Sequence, residues 1–225
     1  MESKKIKPRC ELVKNEDSKE LILYGPVLSN KSWWAADDEY ICPQNVMSAL
    51  KEADGEDIVV RLNTNGGDVF AGISIYNQLK DYKGNITIKV DGIAASAGSV
   101  ILMAADKIIM GVGSMLMIHN AWTFAGGDAK ELRKVADDLD KISSSILDIY
   151  MTRFKGEEDE LKVLLDVETF LTAKEALAIG LADYEEEKDQ TEDIKNSIIG
   201  KYMAQREESR NKEASKASFF MNKFK

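Results

Sequence analysis

Apolar positions along the chain fall into two alternating rhythms. Residues 21–27 form a short apolar run closed by Gly25 and Pro26 and predict a first strand. From Pro43 onward, Val46, Met47, Leu50 and Ala53 recur at the helical period, with proline at the start and Gly55 placed to cap the end. Residues 58–62 are again strand-like and stop at Asn63-Thr64-Asn65-Gly66-Gly67. There Val69, Phe70, Ile73, Tyr76 and Leu79 take over as the stripe of a second helix. The cycle repeats with a strand at 86–90, a turn at 91–95 and a small-residue helix at 96–105. Runs at 107–110 and 115–118 are short and nearly all apolar, which predicts strands buried on both faces. Strand and helix alternating in this way predict an α/β fold with a largely parallel sheet.

The second half is helical at first. Asp128 and Glu131 have capping-box spacing, and Leu132, Val135, Leu139, Ile142, Ile146, Ile149 and Phe154 share one stripe beyond them. A helix of that length, against the usual ~11 to 12 residues, is expected to project from the body and serve a subunit contact. Thr172 and Glu175 form a second capping box, and Gly180 ends the helix that they open. The body is expected to end near Tyr184. Residues 185–225 run from net −5 over 185–193 to net +5 over 195–225, which reads as a charged tail or solvated helix, or as a docking or removable peptide carrying Phe219, Phe220 and Phe224. This divides the chain into an N-terminal extension (1–20), one domain (21–184) and a tail (185–225).

Composition removes several classes of function. The 225 residues carry a formal charge of −9, the wrong sign for broad contact with a phosphate backbone. No apolar run approaches the ~20 residues that a bilayer takes to cross, so no membrane role is expected. Cys10 and Cys42 are far apart, no zinc pattern is readable, and a reducing cytoplasm is the expected setting.

The candidate chemistry lies at the ends of the predicted strands. Ser96 sits between small residues (Gly92-Ile93-Ala94-Ala95-Ser96-Ala97-Gly98), at the first turn of a helix that follows a strand. A hydroxyl there has unpaired backbone N–H groups beside it to stabilise a developing oxyanion, although an N-cap serine would look the same. His119, the only histidine, follows the 115–118 strand and is the one imidazole able to serve such a serine as base. Asn65-Gly66-Gly67-Asp68 is a tight turn whose amides point into the same region. It has neither the dinucleotide fingerprint nor the Lys-Ser/Thr phosphate pattern, so no nucleotide or other cofactor is expected. A carboxylate to orient the imidazole is offered by both Asp166 and Glu168.

Taken together these motifs resemble the Clp protease proteolytic subunit family, in the viral branch of ClpP-like prohead (head maturation) proteases of tailed bacteriophages. The resemblance is carried by Asn65-Gly66-Gly67 with Ala71-Gly72-Ile73-Ser74-Ile75-Tyr76, by residues 92–98, by Met117-Ile118-His119, and by Phe170-Leu171-Thr172-Ala173-Lys174-Glu175-Ala176 with Gly180-Leu181-Ala182-Asp183. It implies a ClpP/crotonase-like spiral of repeated β-β-α units with a protruding long helix. It also implies Ser96 as nucleophile, His119 as base and then acid, and the N–H groups of Gly67 and Ala97 as oxyanion hole. The third triad place falls on Glu168, where the cellular enzymes carry Asp, with Asp166 in reserve. Gly66, Gly126 and Gly127 would flank an extended substrate peptide.

Trp33-Trp34, the Leu23-Tyr24-Gly25-Pro26 strand and the long tail point to the viral branch. That branch implies a ring-shaped homo-oligomer in the bacterial cytoplasm which cleaves capsid or scaffold proteins, and its own tail, within an assembling prohead. The competing readings are a catalytically degenerate assembly factor and a crotonase-type acyl-CoA enzyme.

Overall fold

The computed structural model describes residues 9–14, 19–29, 40–185 and 199–207. Strand β1 (Arg9–Lys14) pairs antiparallel with β2 (Lys19–Tyr24), which lies parallel to β3 (Ile58–Thr64). The chain then winds through parallel crossovers, with α1 (Pro43–Ala53) before β3 and α2 (Val69–Lys80) between β3 and β4 (Ile86–Ala95). A short α3 (Ala97–Leu102) leads from β4 to β5 (Lys107–Met110) and β6 (Met115–Ile118). After α4 (Ala129–Met151) and α5 (Glu158–Asp166) come β7 (Thr169–Thr172), α6 (Ala173–Ala178) and β8 (Tyr184–Glu185).

The eight strands among the described residues form one sheet in the order β1-β2-β3-β4-β5-β8, with β6 and β7 as a branch. The ten-residue β4 makes the branch possible. Its first half pairs with β5 and its last residues, Ile93 to Ala95, pair with β6, which carries β7 antiparallel on its far side.

The α/β architecture and its largely parallel sheet follow the hydrophobic rhythm, and five local expectations change. The sheet begins earlier than residue 21, because Cys10 and Leu12 of β1 turn inward and pack on the core, so part of the presumed N-terminal extension is sheet. Residues 91–95 are strand and not turn: the ladder shifts register after Leu62, and the Asn63 Oδ1 bridges the irregularity by accepting the Ile93 N–H at 3.1 Å. The strands at 107–110 and 115–118 alternate between buried positions and half-exposed or exposed ones, so only one face of each is fully covered. The small-residue helix is shorter than 96–105 and stops at Leu102. Residues 199–207 of the tail are helical, as one of its readings had it, but the helix is not wholly solvated, because Ile199 is buried in the core cluster. Trp33, Trp34, Phe219, Phe220 and Phe224 lie outside the described residues.

Helix α4 begins as its sequence predicts, with Asp128 and Glu131 in a complete capping box. Only its last turns are buried, through Ile146, Leu147 and Tyr150, so most of its length stands clear of the body. Among the described residues no helix is long and apolar enough to cross a membrane.

Candidate active site

The strand order sets the site. The C-terminal ends of β3, β4 and β6 converge, and in parallel α/β sheets ligands bind outside those ends. The cleft there has a volume of about 960 Å³, and its lining includes Gly67, Ser96, Ala97, His119, Asp166 and Glu168.

Ser96 forms the junction between β4 and α3 with φ 55° and ψ −125°. Such a conformation costs on the order of 1–3 kcal/mol and persists only where the surroundings impose it. Here they do. The Ser96 N–H donates to Met117 O at 3.1 Å, and its carbonyl accepts from the Ser99 and Val100 amides at 2.9 and 3.2 Å. Ser99 Oγ adds a further bond to that carbonyl at 2.6 Å. The side chain makes no capping hydrogen bond to α3, which removes the N-cap alternative. Its hydroxyl instead meets His119 Nε2 at 2.7 Å, across a sequence separation of 23. When the Ser96 hydroxyl donates in that contact, the imidazole carries its own proton on Nδ1.

His119 is half-buried just past β6, and burial lowers its pKa below the ordinary 6.5, while the charge of Glu168 works in the opposite direction. The ring is therefore neutral, and able to accept a proton, at physiological pH.

The two candidate carboxylates separate clearly. Asp166, the last residue of α5, faces other partners: Asn120 Nδ2 donates to it at 2.9 Å and the Arg206 guanidinium lies 3.5 Å away. Glu168 occupies a left-handed position, φ 54°, in the turn between α5 and β7. That turn is pinned by the Glu168 N–H on Leu165 O at 3.3 Å and by the buried Thr169 hydroxyl on Leu164 O at 2.6 Å. Glu168 reaches His119 through its charge, and no hydrogen bond joins the two among the described residues.

The Gly66-Gly67 turn is built against Val27. Val27 N–H donates to Gly66 O, and Asp68 N–H donates to Val27 O, each at 2.9 Å. This parallel bridge uses the groups on either side of Gly67 and turns the Gly67 N–H away from Val27. Gly66 lies directly against the Ser96 elbow: a Cβ there would sit 2.7 Å from Ser96 Cβ. Ala97 is the first residue of α3, so its N–H has no partner within the helix.

Gly126 and Gly127 are the sequence candidates that the cleft does not include. Its lining along that segment runs through Thr123, and Gly127 packs against Glu131 beside the cap of α4. The segment in between presents two exposed aromatic rings, Trp122 and Phe124, in edge contact with centroids 5.2 Å apart. It is tethered to α4 where Ala121 N–H donates to Ser143 Oγ at 3.1 Å.

Sequence reasoning missed Asn120, Ser143 and Tyr150. Only Tyr150 carried a signal, since it continues the i, i+4 spacing of Ile142 and Ile146 on the stripe of α4.

Known proteins are similar to much of this chain. The chain is 31% identical over 130 residues to the ATP-dependent Clp protease proteolytic subunit of Deinococcus radiodurans, covering 57% of this chain and 64% of that protein. It is 29% identical over 134 residues to the subunit of the same name from Borreliella afzelii, covering 59% of this chain and 68% of that protein. The family model described as Clp protease matches residues 35–187, which include the Gly66-Gly67 turn, Ser96, His119 and Glu168. The chain belongs to the Clp protease family.

Proposed function

We propose that this protein is a serine endopeptidase that works by acyl-enzyme chemistry. The observation that carries the reading is the 2.7 Å contact between Ser96 Oγ and the chain's only imidazole. Ser96 Oγ attacks the peptide carbonyl carbon while its proton passes to His119 Nε2. The carbonyl oxygen becomes an oxyanion between the N–H groups of Gly67 and Ala97. His119 returns the proton to the leaving amine, the C–N bond breaks, and an ester to Ser96 remains. Water, deprotonated by His119, then releases the acid and restores the hydroxyl. Glu168 stabilises the imidazolium that forms at each transfer.

The finer reading is a ring-shaped homo-oligomer that processes capsid or scaffold proteins in phage heads. It is supported by the viral-branch motifs and by α4, whose stripe leaves Leu132 43% exposed. The tail adds support for self-processing. Ile199 is buried and Arg206 lies 3.5 Å from Asp166, so the chain leaves the helical residues 199–207 beside the cleft.

A fluorophosphonate probe tests both levels. Peptide mapping should find a single adduct on Ser96. The untreated 25.1 kDa chain should lose a C-terminal piece that the probe-treated chain retains. An unlabelled Ser96 in folded protein removes the peptidase reading, and an intact tail alongside a labelled Ser96 removes only self-processing.

The pH dependence tests Glu168. The base form of His119 is required, so the labelling rate should rise with pH along an acid limb below 6.5, where burial holds the imidazole. Glu168→Gln removes the charge that raises the His119 pKa, so the limb moves to lower pH. The plateau rate should fall by about 10²- to 10⁴-fold, because the imidazolium loses its counter-charge. A limb that stays in place or moves to higher pH assigns Glu168 no part in the site.

A further inference from the structure

Ser96 O and Ala97 N belong to one peptide group, and that group is unusually well held. Its carbonyl takes three hydrogen bonds, from the amides of Ser99 and Val100 and from the Ser99 hydroxyl. The last of these is the head of a buried chain, because Ser99 Oγ also meets the Tyr150 hydroxyl at 2.7 Å. The direction of the chain is fixed by chemistry. A carbonyl only accepts, so the single hydroxyl hydrogen of Ser99 goes to Ser96 O, and Tyr150 must therefore donate to Ser99 Oγ. Both residues are fully buried, at 0% exposure, so water does not compete for these bonds.

We propose that Tyr150 and Ser99 are positioning residues for the oxyanion hole: through a relay of two hydroxyls they fix the plane of the Ser96–Ala97 peptide and polarise it, making the Ala97 N–H a better donor. The proposal deepens the serine-peptidase reading and rests on the oxyanion role of Ala97. Donors stacked on a carbonyl draw electron density from the amide nitrogen of the same group. Hydrogen bonds in such chains strengthen one another where the dielectric is low. The relay also keeps its direction across the working pH range, because burial pushes the Tyr150 phenol well above its ordinary 10.0 and it stays protonated. Two features of the fold meet here. The strained elbow at Ser96 is braced from below, and the brace comes from the last buried turn of α4, the helix that otherwise stands clear of the body.

Tyr150→Phe deletes one hydroxyl and leaves the ring to fill its place. In peptide hydrolysis kcat should fall roughly tenfold with KM unchanged, as expected for an interaction stronger in the transition state than in the bound substrate. The acid limb of the pH profile should not move, because His119 is untouched. Ser99→Ala removes the donor to Ser96 O itself and should cost more in kcat, in the same pattern. In protein labelled with ¹⁵N-alanine, the Ala97 amide proton should move upfield in both variants, in the order of their kcat losses.

Wild-type kcat in both variants overturns the proposal. So does a loss of kcat with the Ala97 amide unmoved, or one in which KM and the acid limb shift together as they would for general distortion. If wild-type protein proves not to label with fluorophosphonate, the peptidase reading falls by that result. The Ala97 shift then still decides whether the relay polarises this peptide.

Discussion

Ser96→Ala will fold as the parent does and hydrolyse peptides about 10⁵- to 10⁶-fold more slowly, the scale of loss when a serine nucleophile is deleted. Both halves of that expectation come from what the hydroxyl touches. Its partner is His119, and it caps no amide of α3, so its removal leaves no helix end unsatisfied. Alanine also inherits the same positive φ at no added backbone cost, since it is no larger than serine. The melting temperature should therefore stay within about 2 °C, as for a substitution worth half a kilocalorie per mole in a chain of this size. His119→Ala should be nearly as inactive, and the double variant no worse than either single one, because nucleophile and base act as a unit. The measurements are turnover of a fluorogenic peptide and a thermal melt on the same samples. Hydrolysis at the parental rate by folded Ser96→Ala would mean that another residue is the nucleophile.

The elements that position this pair were largely legible in sequence, and the reason is local. The strands and helices of a parallel α/β chain alternate, so the switch between two-residue and helical periodicity marks each boundary, as it does on either side of Asn63-Thr64-Asn65-Gly66-Gly67. The pairing of Ser96 with His119 was legible for a compositional reason. One histidine leaves one candidate base, and small residues on both sides of Ser96 single out the elbow.

What escaped depends on contacts distant in sequence. β1 alternates only over Arg9-Cys10-Glu11-Leu12, too few residues to stand out as a strand, and it is held by pairing with β2 and by packing Cys10 and Leu12 on the core. β4 runs straight through residues that look like a turn because Asn63, thirty positions away, completes its ladder. The partners of Asp166, Asn120 and Arg206, come from 46 residues before it and 40 after it, so no local pattern announces them. The hydroxyl relay through Ser99 and Tyr150 spans a separation of 51 and could be seen only once α4 was placed against α3.

Gly67→Ala should be the most damaging glycine-to-alanine change among the described residues. At φ 149° the Gly67 backbone is in a region that side chains rarely adopt, and an added Cβ would lie 2.1 Å from Val27 O and 3.1 Å from Val27 C and N. These are backbone atoms, so no side chain can swing away to make room. Val27 is held on both sides of this turn by the bonds to Gly66 O and from Asp68 N–H. Relief of the overlap must therefore break the bridge. Losing its two hydrogen bonds costs about 1–3 kcal/mol, and the backbone strain adds a further ~1–3 kcal/mol. Together these are a large part of the ~5–15 kcal/mol by which domains are stable. Even in the molecules that remain folded, the Gly67 N–H is displaced from the cleft, and loss of one oxyanion donor lowers kcat by about 10²- to 10³-fold. Urea unfolding should show an earlier midpoint, and fluorophosphonate labelling of Ser96 in the folded fraction should slow. Gly126→Ala is the matched control: nothing lies within 4 Å of the place its new methyl group would take, and it should melt and label as the parent does. If Gly67→Ala behaves like that control, the turn against Val27 neither holds the fold together nor supplies an oxyanion donor.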